Sequence, residues 1–160
     1  HYPERKQLLN IFESQVRYCK IFKPIVKNMY DLSEYKSDTY ASDGLIFTPI
    51  NKPIEFGTNY DLLKWKPGDM NTVDFLIDKD YKMYLNKQGV IQRTNNTIKV
   101  KNGINVTKDI IVECKLINNG VWEMIKVRPD KTLPNSIFVY HKTLLNIEEN
   151  ITIKELFAFC

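Results

Sequence analysis

Two lysines separated by one residue, in Lys64-Trp65-Lys66-Pro67, follow the Asp-Gly pair of Asp43-Gly44-Leu45-Ile46-Phe47, and these are the residues best suited to chemistry. Side chains alternate along a strand, so Lys64 and Lys66 share one face and Trp65 takes the other. Two ammonium groups held side by side need an anion to neutralise them, and a phosphate group fits. Asp43, at the mouth of an apolar run, can hold a divalent cation bridging to the same phosphates, because hard cations take oxygen ligands. Alone, the same residues also describe a solvated Lys-x-Lys on an edge strand and a plain Asp-Gly turn. A second group, Arg128-Pro129-Asp130-Lys131, reads alone as a charged turn, since Pro-Asp pairs mark turns.

These groups need elements to place them. Pro3-Glu4-Arg5 followed by Leu8, Leu9, Ile11, Phe12 and Val16 has helical spacing, with proline and an acid in the first turn, and predicts a surface helix. Ile21-Phe22-Lys23-Pro24-Ile25-Val26 is short, apolar and interrupted by proline, which suits an edge strand with Lys23 turned toward a groove or simply snorkelling. The polar segment Asp31 to Ser42 reads as a helix and loop. The strand bearing Asp43 then leads through Pro49, Pro53 and Gly57 to the strand bearing Lys64 and Lys66, and the two are expected to pair.

Pro67-Gly68-Asp69 breaks the pattern. Beyond it come short β-rich runs over Val73 to Ile77, Tyr81 to Leu85, Gly89 to Ile91, Thr97 to Val100, Ile110 to Leu116 and Val121 to Val127. Asn86-Lys87-Gln88-Gly89, Lys101-Asn102-Gly103 and Asn118-Asn119-Gly120 supply residues that tolerate positive φ, so successive hairpins follow. Five or more strands in about 60 residues suit a small barrel, and an OB-fold is the size-matched choice. The end is helical, with Leu144, Leu145 and Ile147 on one face and Thr152-Ile153-Lys154-Glu155 as a capping box.

With 43% hydrophobic and 12% aromatic content, 160 residues can bury the core of one ordinary domain or two small ones. The net charge of +4 suits an anionic partner only weakly. Cys19, Cys114 and Cys160 lack any Cys-x-x-Cys pairing, and with only His1 and His141 they offer no zinc site, so they read as reduced packing cysteines of an intracellular protein. No apolar run approaches the roughly 18 residues of a membrane span, so no membrane partner is expected.

In order, Asp43-Gly44-Leu45-Ile46-Phe47-Thr48-Pro49, then Leu63-Lys64-Trp65-Lys66-Pro67 with Asn71-Thr72-Val73-Asp74-Phe75, then Ile111-Val112-Glu113-Cys114-Lys115, Trp122 and Arg128-Pro129-Asp130-Lys131 with Pro134-Asn135, resemble motifs of the GTP:RNA guanylyltransferases, the mRNA capping enzymes. The resemblance implies an α+β fold: the C-terminal portion of a nucleotidyltransferase, ATP-grasp-like domain over residues 1–70, then a β-rich OB-fold domain with terminal helices over 71–160. It implies two-step transfer, in which a lysine takes GMP from GTP and passes it to the 5′-diphosphate end of RNA, with Mg or Mn as the divalent cation. By this resemblance Lys64 and Lys66 brace the α-phosphate, Asp43 binds the metal, Arg128 and Lys131 reach the β- and γ-phosphates, Asp130 sits between them as an orienting or pyrophosphate-side group, and Lys23 contacts the guanine.

The family attaches GMP to a lysine in Lys-x-Asp-Gly, and this chain has no such tetrapeptide. Lys36-Ser37-Asp38-Thr39 and Lys101-Asn102-Gly103 are loop residues that only partly imitate it. The chain opens on His1-Tyr2-Pro3 without Met, so it is expected to be the C-terminal part of a longer enzyme whose N-terminal half holds the nucleophile. RNA polymerase or a capping partner subunit remains an open partner, and the setting is nuclear, or cytoplasmic or virion-borne if the source is viral. A polynucleotide ligase shares the same logic, but the tryptophan between the lysines speaks for capping. From another class, a non-catalytic OB-fold could bind RNA or bridge subunits, with Tyr81, Tyr84 and Trp122 as a stacking platform.

Overall fold

Strand alternation builds the core of this protein. In the computed structural model, which describes residues 2–16, 29, 35, 42–53, 55, 57–100 and 104–158, Val73, Phe75 and Ile77 are fully buried along one strand, as are Met83 with Leu85, Val112 with Cys114, and Trp122 with Met124 along three others. Each set is spaced by two, so one face of each of these four strands turns inward. The chain divides into two compact units, His1–Trp65 with Leu156–Cys160, and Lys66–Glu155.

The first unit contains helix α1 (Tyr2–Val16) and strands β1 (Leu45–Phe47) and β2 (Leu63–Trp65). Leu8, Leu9, Ile11 and Phe12 are all exposed on α1, which makes it the surface helix its sequence predicts. Arg5 Nη2 donates to the carbonyls of Pro49 (3.4 Å) and Lys52 (3.3 Å), tying the helix to the loop after β1. β1 and β2 pair antiparallel, with Ile46 opposite Lys64. The expected strand from Ile21 to Val26 lies outside the described residues, as does nearly all of the segment from Asp31 to Ser42.

The second unit begins with a 3-10 turn at Gly68–Met70, where the Pro-Gly break is expected. A Cβ on Gly68 would collide with Asn150 Oδ1, so glycine allows a close approach there. Six strands follow: β3 (Thr72–Ile77), β4 (Met83–Lys87), β5 (Val90–Arg93), β6 (Thr97–Lys99), β7 (Ile110–Asn118) and β8 (Val121–Val127). Their order in the sheet is β5-β4-β3-β7-β8-β6, antiparallel except for the parallel β6–β8 pair. β5 and β6 occupy opposite edges, yet only Thr94, Asn95 and Asn96 separate them in sequence. Thr94 N donates to Met83 O (2.8 Å) and Thr97 N to Gly120 O (2.7 Å), so this continuous segment bridges the two edges and closes the sheet. A closed sheet has no edges left to aggregate. With β5 and β6 counted as one broken strand, the unit is a five-stranded OB-like barrel.

The β4–β5 hairpin turns through Gln88 (φ 52°) and Gly89 (φ 89°), the pair of positive φ values that a two-residue hairpin favours. Helix α2 (Ile137–Glu149) starts well before the Leu144 to Ile147 face that announces it in the sequence, because Ser136 caps it: its Oγ accepts from Val139 N at 3.2 Å. It ends at Asn150, whose φ of 43° is left-handed. The capping box forms at the start of α3 (Ile153–Ala158): Glu155 Oε2 accepts from Thr152 N (2.7 Å) and Thr152 Oγ1 from Glu155 N (3.3 Å). Among the described residues no helix is long and apolar enough to cross a membrane.

Candidate functional site

The first cluster lies in the first unit. Lys64 Nζ is 2.8 Å from Asp43 Oδ2, joining residues 21 apart in sequence across the β1–β2 pair. Ser42 Oγ accepts from Gly44 N (3.3 Å) and donates to Gly44 O (2.7 Å), which fixes the turn presenting Asp43. Gly44 takes φ 141°, a conformation that side-chain-bearing residues rarely adopt. Both side chains remain about half exposed, and such pairs are worth about 1 kcal/mol or less. A phosphate approaching Lys64 therefore meets little resistance from this pair. Lys66, partly buried, follows the last residue of β2 and belongs to the second unit.

The second cluster lies on the outer wall of the barrel. Asp74 sits between Val73 and Phe75, so alternation turns it away from the core, and its partner directly across on β7 is Glu113. Two carboxylates facing each other across adjacent strands repel. The first residue after β8 resolves the conflict: Arg128 Nη1 donates to Asp74 Oδ1 (3.0 Å) and Oδ2 (3.1 Å) and to Glu113 Oε2 (3.3 Å). Glu113 also accepts from Thr72 Oγ1 (2.9 Å) and pairs with Lys126 Nζ (3.3 Å).

The remaining donors of Arg128 serve its own turn. Nε donates to Asp130 Oδ1 (3.0 Å) and Nη2 to Asp130 Oδ2 (2.8 Å), a bidentate fork. Lys131 N donates to Arg128 O (3.1 Å), closing a β-turn with Pro129 in the second position, where its fixed φ belongs. Lys131 itself is exposed. Asn135 locks this segment to β3: its Oδ1 accepts from Asp74 N (2.8 Å), its N donates to Asp74 O (2.8 Å), and its carbonyl accepts from Asn86 N (3.0 Å).

The electrostatics follow from three carboxylates around one guanidinium. Burial is the largest influence on Asp74 and raises its carboxyl above the usual range against the pull of Arg128, with Glu113 adding to the rise. Burial pushes Glu113 up as well, but the hydrogen bonds from Thr72 and Lys126 and the charges of Lys126 and Arg128 outweigh it and leave the group below its usual range. The Arg128 hydrogen bonds hold Asp130 down at about 2, and the same bonds raise Arg128 further above its already high value.

The structure thus joins Asp43 with Lys64, and Arg128 with Asp130. Lys23 lies outside the described residues. Asp74, Glu113 and Asn135 stand within the quoted motifs but were given no role there, although Asp74 is a carboxylate placed between apolar residues at the parity of the outer face, and that signal was legible. The stacking platform fails: Trp122 is fully buried, its ring 5.0 Å from Phe75 in an edge-to-face contact, because its position on β8 faces the core. Among the described residues its Nε1 has no hydrogen-bond partner. Tyr84 is half-buried with its hydroxyl donating to Asp78 Oδ2 at 2.7 Å.

The chain thus carries a carboxylate–lysine pair in its first unit and, in its second, an OB-like barrel with an Arg-x-Asp-Lys turn. Residues 6–68 match the family model of the mRNA capping enzyme catalytic domain, and residues 78–157 match that of the mRNA capping enzyme C-terminal domain. The chain belongs to the mRNA capping enzyme family. The mRNA-capping enzyme subunit alpha of Schizosaccharomyces pombe is 30% identical over 141 residues, covering 73% of this chain and 35% of the relative. The mRNA-capping enzymes of Mus musculus and Danio rerio are 32% and 34% identical over 133 residues, covering 78% and 76% of this chain but 22% and 21% of theirs. The chain therefore spans between about a fifth and a third of these curated relatives.

Proposed function

We propose that this chain is the phosphate-gripping part of an mRNA guanylyltransferase, which transfers GMP from GTP to the 5′-diphosphate end of RNA through a lysyl-GMP intermediate. Family membership together with the Asp43–Lys64 contact supports this reading, since it gathers the two groups that the chemistry needs. The nucleophilic lysine comes from sequence outside these 160 residues, because no Lys-x-Asp-Gly is present. Residues 1–70 serve as the end of the nucleotidyltransferase domain and 71–160 as the OB domain. The eukaryotic relatives favour a nuclear setting.

Phosphoryl-type transfer depends mainly on positioning and on stabilising developing charge. Lys64 and Lys66 hold the α-phosphate, and Arg128 and Lys131 neutralise the β- and γ-phosphates that leave as pyrophosphate. Asp130 and Asp74 aim the Arg128 guanidinium, whose planar fork suits phosphate. Lys23 is the proposed guanine contact.

Among the described residues no group of three His, Cys, Asp or Glu gathers to hold a metal. Asp43 is a single half-exposed carboxylate, which fits Mg, since that ion keeps waters and takes phosphate oxygens beside one or two carboxylates. When bound, such a cation neutralises phosphate charge. The test is thermal unfolding with GTP, with and without Mg: GTP raises the transition temperature only when Mg is present, and Asp43→Ala removes the shift. No shift in the parent chain would overturn the reading.

A further inference from the structure

Glu113 lies between the buried Val112 and Cys114 of β7, so alternation turns its side chain to the outer wall beside Asp74. Both of its oxygens are committed. Oε1 accepts from Thr72 Oγ1 at 2.9 Å, while Oε2 takes Lys126 Nζ and Arg128 Nη1, each at 3.3 Å. Thr72 comes from β3 and Lys126 from β8, the two strands that pair with β7, so the carboxylate is fixed from both sides.

An arginine carries five N–H donors in a rigid planar fork. In Arg128 the Nε hydrogen and one Nη2 hydrogen go to Asp130, and Nη1 donates to Asp74 and to Glu113. Among the described residues one Nη2 hydrogen is left without an acceptor. The three carboxylates constrain the fork differently. Asp130 is 59% exposed and belongs to the same turn as Arg128, so it moves with the arginine it holds. Asp74 brings both oxygens to the single atom Nη1, which fixes where that nitrogen lies but not how the plane is turned about it. Glu113, only 16% exposed and on a different strand, adds the second direction at Nη1 that defines the plane.

We propose that Glu113 is a positioning residue for phosphate binding: it sets the plane of the Arg128 guanidinium so that the remaining Nη2 hydrogen, with Lys131 of the same turn, meets a phosphate oxygen. The inference rests on the reading that Arg128 and Lys131 hold the β- and γ-phosphates. Thr72 acts one step further back, by holding Glu113 Oε1. Charge alone gives the opposite expectation. A carboxylate 3.3 Å from Arg128 repels an incoming phosphate, so neutralising it would tighten binding if orientation did not matter.

The experiment titrates the 160-residue chain with inorganic pyrophosphate, without nucleotide or metal, and follows the backbone amide signals of Arg128 and Lys131 by NMR. The parent chain binds. Glu113→Gln, close in shape but uncharged, binds roughly fivefold more weakly, the order expected when a charge-assisted hydrogen bond is lost. The Nη1 and Nη2 signals of Arg128, separate in the parent chain, merge in Glu113→Gln as the guanidinium begins to turn. Thr72→Val keeps the Glu113 charge, removes one of its anchors, and moves both readouts the same way by a smaller amount. The amide spectrum reports whether each variant is folded. Unchanged or tighter binding by folded Glu113→Gln, or Nη signals that stay separate in it, overturns the inference and leaves the phosphate-gripping reading standing. Should Glu113→Gln fail to fold, Thr72→Val decides, and parent-like binding in it overturns the inference. Absence of pyrophosphate binding by the parent chain overturns both.

Discussion

Arg128 Nη1 lies 3.0 and 3.1 Å from the two carboxylate oxygens of Asp74, a residue whose cross-strand neighbour is another carboxylate, Glu113. This arginine is as much a part of the barrel wall as of any phosphate site. It covers an electrostatic conflict that the strand register creates, and the turn that begins with it inherits that anchorage.

Removing Arg128 leaves Asp74 and Glu113 facing each other, with Thr72 and Lys126 still on Glu113. Arg128→Ala should lower stability, because it leaves two carboxylates facing each other across the strands without their shared guanidinium. Glu113→Gln in the Arg128→Ala background should restore part of that loss. Urea unfolding of the two single variants and the double variant gives the coupling; strictly additive losses would show that the carboxylates do not repel.

The Arg128–Asp130 fork carries a pH signature. Asp130 is held at about 2 from an ordinary value of 3.8, so its folded value lies below its unfolded one. Its contribution is therefore fully present above the ordinary aspartate range and disappears as pH falls through about 2. In Asp130→Asn, the stability curve measured between pH 4 and pH 2 should fall less steeply than in the parent chain. Equal slopes would mean that the fork does not form in solution.

Cys114 should resist labelling. Burial pushes its thiol up to about 12, with the charges of Asp74 and Glu113 adding to the rise, so thiolate is scarce at pH 8. Peptide mapping after iodoacetamide treatment of the native chain should find Cys114 unmodified, and after denaturation fully modified. Rapid native labelling would show that β7 opens.

Phe75 sits at the centre of the barrel against Trp122 and Tyr140. Phe75→Ala should destabilise by about 3–5 kcal/mol, the cost of a large aromatic lost from a close-packed core. In Asp43→Ala, by contrast, loss of the exposed pair with Lys64 should cost no more than about 1 kcal/mol. Denaturant midpoints for the two variants check both numbers, and a large loss in Asp43→Ala would reveal a structural role.

The barrel was legible because period-two burial and glycine turns are local signals: Val73, Phe75 and Ile77, and the Gln88-Gly89 turn, announce themselves without tertiary information. The start of α2 was harder to see, since Ile137 and Phe138 follow a Pro-Asn-Ser stretch that reads as loop until Ser136 is recognised as a cap. Trp122 was misread as a ligand platform because sequence alone does not say which face of β8 turns inward, and neighbouring Met124 at the same parity was the clue. The Asp74–Glu113–Arg128 cluster depends on strand register and on which strands adjoin. Composition does not carry that information, although the placement of Asp74 within an alternating strand hints at it.

The most direct test of the central claim is transfer of label from α-labelled GTP in the presence of Mg, resolved on a denaturing gel. The 160-residue chain would be assayed alone and with a separately expressed segment bearing Lys-x-Asp-Gly. Label on the supplied segment, only when both are present and lost with Lys64→Ala, is the predicted result. Label on the supplied segment irrespective of this chain, or on this chain itself, would contradict the assignment of this chain as the phosphate-gripping part.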